Sequence, residues 1–266
     1  MRQGQLGHHR ALRVSLAASI LGLVVLAGAL APAQARSGKA EQGGAAIASA
    51  GFARADLERV VFIDRGRPAG RPAKPAADAS ATAFRTFGGR PGWANAGSID
   101  YSVSTSGCAS DCAGATAQVN AGFDAWEVSG LSFTQQALGD PDPCGGTNSV
   151  SWQTIDGAGS TLAFALVCVL RGPAKEIVGF QVVLDADEPW SDSGNAGSFD
   201  IRATTTHEAG HVVGLEHVNS PRNARLTMYP FIEIGDIGFR TLGCGDRLGV
   251  DAVYGTSLGC AGVPLD

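Results

Sequence analysis

Apolar and polar positions alternate with different periods along this chain. In "SIDYSVS" (98–104) apolar residues fall at every second position, as on a half-buried strand. The runs "LSFTQ" (131–135), "SVSWQT" (149–154), "TLAFALVCVL" (161–170) and "IVGFQVVLD" (177–185) also read as strands. Between the first two lies "AGATAQVNAGFDAWEVSG" (113–130). There Val119, Phe123 and Trp126 recur at helical spacing, and Gly130 stands shortly past the end. "FDIRATTTHEAGHVVGLEH" (199–217) predicts a second helix, and "GDRLGVDAVYG" (245–255) a last short one closed by Gly255. Strands and helices are partly segregated, which predicts the α+β class.

Before Trp93 the pattern is weaker. "RGRPAGRPAKPAADASATA" (65–83) is rich in Pro, Ala, Gly and Arg without apolar periodicity, as in a linker. The preceding "FARADLERVVFID" (52–64) is compatible with a helix or strand that docks elsewhere. Residues 36–92 are therefore expected to form a propeptide-like or linker region, and 93–266 the ordered domain with a stapled C-terminal tail.

Residues 1–35 carry an address. Arg2, His8, His9, Arg10 and Arg13 precede the apolar "VSLAASILGLVVLAGALA" and the small-residue site "APAQA". A signal peptide cleaved after about Ala35 is expected, hence a secreted, extracellular protein. The alternative is an uncleaved anchor, because the apolar run is near the lower limit for spanning. No later apolar run is long enough to span, so no stable membrane anchor is expected. Six cysteines agree with export: Cys108, Cys112, Cys144, Cys168, Cys244 and Cys260. Their connectivity is open; closeness in sequence suggests 108–112, 144–168 and 244–260.

Composition narrows the class. With 44% hydrophobic and 17% charged residues the chain is globular, and a formal charge of −5 argues against nucleic-acid binding. The 37 glycines follow no fixed period and read as loops and turns.

The chemistry concentrates in "HEAGHVVGLEH" (207–217). His207 and His211 are four apart and so project from one helix face, where their imidazoles can converge on one ion. Glu208 is placed to hold a zinc-bound water and take its proton. Gly214 tolerates the left-handed turn that would return His217 as third ligand. Three nitrogens and an open position define a catalytic zinc rather than a structural one. The chain has five histidines; His8 and His9 precede Ala35, and the other three are all in this motif. The alternative is a set of solvated helix residues.

This segment resembles the long zinc signature of the metzincin metallopeptidases. Downstream, "LTMYPFIEIGDIGFRTLGCGDRLGVDAVYG" is similar to the matrixins, the peptidase family of matrix metalloproteinases. The shared features are Met228-Tyr229-Pro230, then Arg240, Leu242, Asp246, Gly249 and Tyr254-Gly255. "AWEVSGLSF" and "VLDADEPWS" resemble matrixin segments too, and the likeness runs from about Trp93 to Gly255. It implies a zincin fold: a twisted, mostly parallel five-stranded sheet with one antiparallel edge, three helices, and a Met-turn placing Met228 beneath the metal. It implies a zinc-dependent endopeptidase acting on an extended protein or peptide substrate that pairs with an edge strand. "TLAFAL" is the candidate edge, and Pro230, Phe231 and Ile232 the candidate wall of the pocket beyond the scissile bond. A monomer is expected.

The family pattern also fails in places. Matrixins usually hold a second zinc with three histidines and an aspartate. Here Phe164 stands where "LAHAF" would offer a ligand and Val183 where another would stand, so no second zinc is expected; a Cys144–Cys168 bridge would brace that loop instead. "DGAGS" (156–160) with Asp185 and Glu188 resembles the family's calcium loop, and Asp156, Asp185 and Glu188 are candidate calcium ligands; the alternative is a solvated acidic turn. Matrixin propeptides block the zinc with a free cysteine, which residues 36–92 lack. Either the protein is made active, or another group, among Asp56, Glu58, Asp64 and Asp78, blocks the metal; the alternative is that these are ordinary surface charges. Competing functions are a catalytically silent zinc-containing binding module and a structural domain with an incidental motif. Glu208 separates the first from an enzyme, since a silent module needs no base.

Overall fold

The computed structural model describes residues 57–67, 81–89, 91–137, 139–172 and 175–263. All fall in one compact unit, Ala45–Asp266. The expected signal peptide, Asp56, Asp78 and most of the Pro-rich segment lie outside the described residues.

The strands are β1 (Leu57–Arg67), β2 (Gly92–Trp93), β3 (Ile99–Ser104), β4 (Phe133–Gln135), β5 (Asn148–Gln153), β6 (Thr161–Leu170), β7 (Glu176–Asp185), β8 (Trp190–Ser191), β9 (Phe199–Asp200) and β10 (Phe231–Glu233). The helices are α1 (Ala115–Asp124), α2 (Ile201–Val212) and α3 (Cys244–Tyr254). The main sheet runs β10-β1-β6-β7-β5-β3-β4, with β2 beside β7. Strands β4, β3, β5 and β7 are parallel to their neighbours and β6 joins β7 antiparallel. These five are the mixed sheet that the matrixin resemblance implied, with three helices in an α+β arrangement.

β6 is apolar throughout because both its faces are covered. Ala163 and Ala165 face the main core, which the sheet shares with α1 and α2. Phe164, Leu166 and Cys168 point the other way and pack with Cys144 and Val183. Phe164 and Val183 are direct cross-strand partners. The two positions where relatives would offer histidines thus form an apolar pair beside the Cys144–Cys168 disulfide. The other bridges are Cys108–Cys112 and Cys244–Cys260, so all three pairings suggested by closeness form.

β6 differs from expectation in one respect. "TLAFAL" was the candidate free edge, yet β1 pairs with it antiparallel from Leu57↔Leu170 to Arg65↔Thr161. The "FARADLERVVFID" segment therefore docks as a strand. The reason is a two-residue period within it: Val60, Phe62 and Asp64 turn inward, while Val61 (47% exposed) and Ile63 (45%) turn outward. Order also precedes Trp93 at residues 81–87. The Gly245 N–H donates to Ala81 O, the Glu216 N–H donates to Arg85 O, and Arg85 pairs with Glu216 at 2.8 Å.

α2 is buried on every side, and the sequence shows how a helix so polar can be. Thr205 and Thr206 donate their hydroxyls to the carbonyls of Ile201 and Arg202, at 2.8 and 2.7 Å, within the helix itself. Asp200 caps its start by accepting from Ala203 N at 2.7 Å. Arg240 holds the same carboxylate through two contacts, Nε to Oδ1 at 2.9 Å and a second guanidinium nitrogen to Oδ2 at 2.5 Å. Trp126 Nε1 donates to Thr206 O at 2.7 Å and ties α2 to the end of α1.

The turn after α2 is fixed from α3. The buried Asp246 carboxylate accepts the backbone N–H groups of Thr227, Met228 and Gly243, at 2.8, 3.2 and 2.8 Å. Replacing Asp246 with Ala would leave three amide donors without this acceptor in a buried place. Each unsatisfied buried donor costs about 1–3 kcal/mol, so we expect Asp246→Ala to lose roughly 3 kcal/mol or more of unfolding free energy in urea titrations at neutral pH.

Candidate metal centre

α2 presents His207 and His211 on one face, one turn apart. The helix then stops at Gly214, whose φ of +104° turns the chain sharply. That turn returns His217 to the same place. The Nε2 atom of His217 lies 3.2 Å from Nε2 of His207 and 3.1 Å from Nε2 of His211. On the far side of each helical ring a backbone carbonyl waits: Thr227 O lies 2.5 Å from His207 Nδ1 and Leu215 O lies 2.8 Å from His211 Nδ1. Those oxygens can only accept, so each Nδ1 carries the proton and each Nε2 keeps a lone pair facing its neighbours.

Lone pairs so arranged repel unless a cation stands among them. Nitrogens each about 2.0–2.1 Å from a tetrahedral zinc would be roughly 3.3 Å apart, close to what is observed. The donor set therefore fits zinc. Burial drives the proton affinity of His211 down to about 3, which keeps that ring neutral and available as a ligand.

A fourth group completes the cluster. Asp64 of β1 places Oδ1 2.6 Å from His217 Nε2 and 3.0 Å from His207 Nε2, and Oδ2 3.6 Å from His211 Nε2. Asp64, His207, His211 and His217 are the one group among the described residues whose donor atoms gather closely enough to hold a metal ion. Without a metal, burial opposes the Asp64 charge, but attraction to the neighbouring imidazoles, His207 first, outweighs it and holds the carboxyl well below the ordinary range. Asp64 in turn raises the proton affinity of His207 against its burial, so that ring is a neutral ligand once a cation takes the place of its Nε2 proton. Phe62, two residues earlier, stacks flat on His211, with centroids 4.1 Å apart and planes 3° from parallel.

Glu208 sits beside this cluster with no solvent exposure, its carboxyl against that of Asp64. Burial, and then the charge of Asp64, push its proton affinity well above the ordinary range. Met228 packs against α2: a side chain at Gly210 would overlap its sulfur and the Trp126 ring. Phe231 and Ile232 of the expected wall lie in β10, which pairs parallel with residues 65–67 of β1. Pro230 precedes them, half-buried.

The acidic loop is built differently from the histidine cluster. Asp156 accepts from Thr161 N and Oγ1, at 3.1 and 2.7 Å. Asp185 accepts from the N–H groups of Ile155 and Asp187, and Glu188 from that of Gly159. The three carboxylates face one turn, all engaged by its own donors.

The residues that sequence reasoning missed are second partners: Thr227 O, Leu215 O and Phe62. The two carbonyls have no sequence signal, since every residue carries one. Of the four acidic candidates for blocking the metal, the structure brings in Asp64; Glu58 is exposed on β1.

Comparison with known proteins shows the family. The family model described as matrixin matches residues 92–255, and the chain belongs to that family. It is 34% identical to matrilysin of Felis catus over 128 residues, 47% of this chain and 45% of the relative. It is 33% identical to matrix metalloproteinase-16 of Homo sapiens over 102 residues, 38% and 15% of the two chains. It is 27% identical to macrophage metalloelastase of Oryctolagus cuniculus over 177 residues, 65% and 35%. The chain thus spans less than half the length of each of these relatives.

Gly214 offers a direct test of how the centre is assembled. Its φ suits glycine, and an added Cβ would stand 2.5 Å from Pro91 O. Gly214→Ala should shift His217 and weaken zinc binding by about ten-fold or more, roughly 1.4 kcal/mol, in competition with a chromophoric chelator.

Proposed function

We propose that this chain is a secreted zinc endopeptidase that hydrolyses peptide bonds of extended protein substrates. The observation that carries the reading is the convergence on His217 Nε2 of the Nε2 atoms of His207 and His211, at 3.2 and 3.1 Å, with the other nitrogen of each helical ring held by a carbonyl and Glu208 alongside. His207, His211 and His217 would hold the zinc. When bound, the metal supplies a Lewis acid that acidifies water and polarises a carbonyl. Glu208 takes the proton of the attacking water on its carboxylate and delivers it to the leaving amide nitrogen. The burial that raises the proton affinity of Glu208 favours the half of that task in which the carboxylate takes a proton from water. Met228 packs below α2 as a soft apolar support.

The groove between β6 and β10 supports an extended substrate, since it already accepts one strand of this chain by backbone pairing. Pro230, Phe231 and Ile232 would line the pocket beyond the scissile bond and favour an apolar residue there. Three disulfides support export to an oxidising compartment, with residues 1–35 as the cleaved signal and 93–266 as the peptidase domain. No helix among the described residues is long and apolar enough to cross a membrane. The reading includes a monomer, and a calcium ion at Asp156, Asp185 and Glu188. There, after burial, the charges of Asp185 and Asp156 raise Glu188 in a way a divalent cation would relieve. A silent binding module has no use for Glu208.

The test uses the Asp64→Ala chain, in which the carboxylate beside the histidines is gone, with and without Glu208→Ala. Zinc content and hydrolysis of a quenched peptide library are measured together. Glu208→Ala should keep one zinc per chain and lose cutting by about 10²–10⁴-fold. Equal cutting by both chains would refute Glu208 as the base.

A further inference from the structure

β1 crosses the metal centre with its two halves on different walls. Leu57 to Asp64 pair antiparallel with β6, and Arg65 to Arg67 pair parallel with β10. The register slips opposite Asp64 and Arg65, where β6 carries the extra residue Leu162, so a bulge of β6 faces the strand as it passes the three histidines. Bulges re-aim side chains, and this one accompanies the insertion of Asp64 among the Nε2 atoms. Around that point the strand is close-fitted. Phe62 covers His211 and meets Phe87 at 5.3 Å. Gly66 lies so near the buried Phe199 ring that an added Cβ would be 2.5 Å from its Cζ. Asp64, His207, Glu208 and His211 are left with no exposure, and His217 with 19% of its side chain.

We propose that β1 is a tethered plug, lodged along the groove as a peptide ligand would be, with the Asp64 carboxylate filling the fourth position around the metal, so that the chain is made latent. The two inward groups divide the work. Asp64 occupies the place that water needs beside Glu208, and Phe62 seals the His211 side. Gly66 lets the backbone pass over Phe199 to reach β10. No cysteine is required, and residues 57–67 contain none. Residues 81–87, by contrast, are tied by backbone bonds to the α2–α3 region and belong with the peptidase body.

This inference rests on the proposed peptidase only for its activity arm; a second arm reads access to the metal directly. The full chain is loaded with Co²⁺ in place of zinc, and acetohydroxamate is titrated while the visible absorption is followed. Wild type, Asp64→Ala and Gly66→Val are compared. A plug seated in 90–99% of molecules hides a site by about 10- to 100-fold. We therefore expect acetohydroxamate to perturb both variants at concentrations about 10- to 100-fold lower than wild type, with peptide hydrolysis rising by a similar factor. Gly66→Val changes no metal ligand, so its agreement with Asp64→Ala would tie the effect to the strand. Equal acetohydroxamate affinity in all three chains would overturn the plug, whatever the activities. Loss of Co²⁺ from both variants would also overturn it, because β1 would then be a structural part of the centre. Variants that open to acetohydroxamate without cutting would leave the plug standing and sink the peptidase reading instead.

Discussion

Four buried groups that would each prefer water are held within a few ångströms of one another, and the architecture is arranged around that difficulty. A carboxylate taken out of water without compensation costs several kcal/mol. Asp64 is compensated by imidazoles, while burial and the nearby Asp64 raise the proton affinity of Glu208. The imidazoles are in turn fixed by carbonyls that only a closed turn could bring there. Thr227 O reaches His207 because Asp246, from another helix, holds the neighbouring amides. Leu215 O reaches His211 because Gly214 ends the helix at once. The polarity of the centre thus dictates the geometry of two turns and the placement of α3.

The same constraint explains the polar character of α2. A helix carrying two metal-binding side chains on one face is normally exposed on the other. Here the other face meets α1, and the threonines at 205 and 206 return their hydroxyls to the helix's own carbonyls. Burial on all sides makes the histidine positions rigid, which a metal site with fixed ligand distances requires. Asp200, held by Arg240, anchors the helix at the start as Gly214 ends it.

β1 gives the sheet a feature that a matrixin domain alone does not need. Its outward residues Val61 and Ile63 remain exposed while its inward residues reach the metal. Its inward face also packs Val60 and Phe62 against Phe87, Val167 and Ile177 before Asp64 enters the centre.

Much of the site was legible in the chain. The histidine spacing, the adjacent glutamate and the glycine seven residues after the first histidine each have a local physical meaning, so the motif predicts its own geometry. The five strands of the mixed sheet and three helices were also legible, because periodicity and caps are local. Even the disulfides followed from nearness in sequence. What lay beyond reach was every choice made across long separations. Asp64 stood among four acidic candidates with nothing local to distinguish it, for its partners are about 150 residues away. "TLAFAL" read as an edge because a strand's sequence does not say whether both its sides are paired. The carbonyls of Thr227 and Leu215 carry no side-chain signature. The chain by itself determined which residues could bind a metal and take a proton. Only the tertiary structure decided that a carboxylate from the N-terminal strand sits among them, because that is settled by pairing between distant strands and by the charge left uncompensated if the pairing fails.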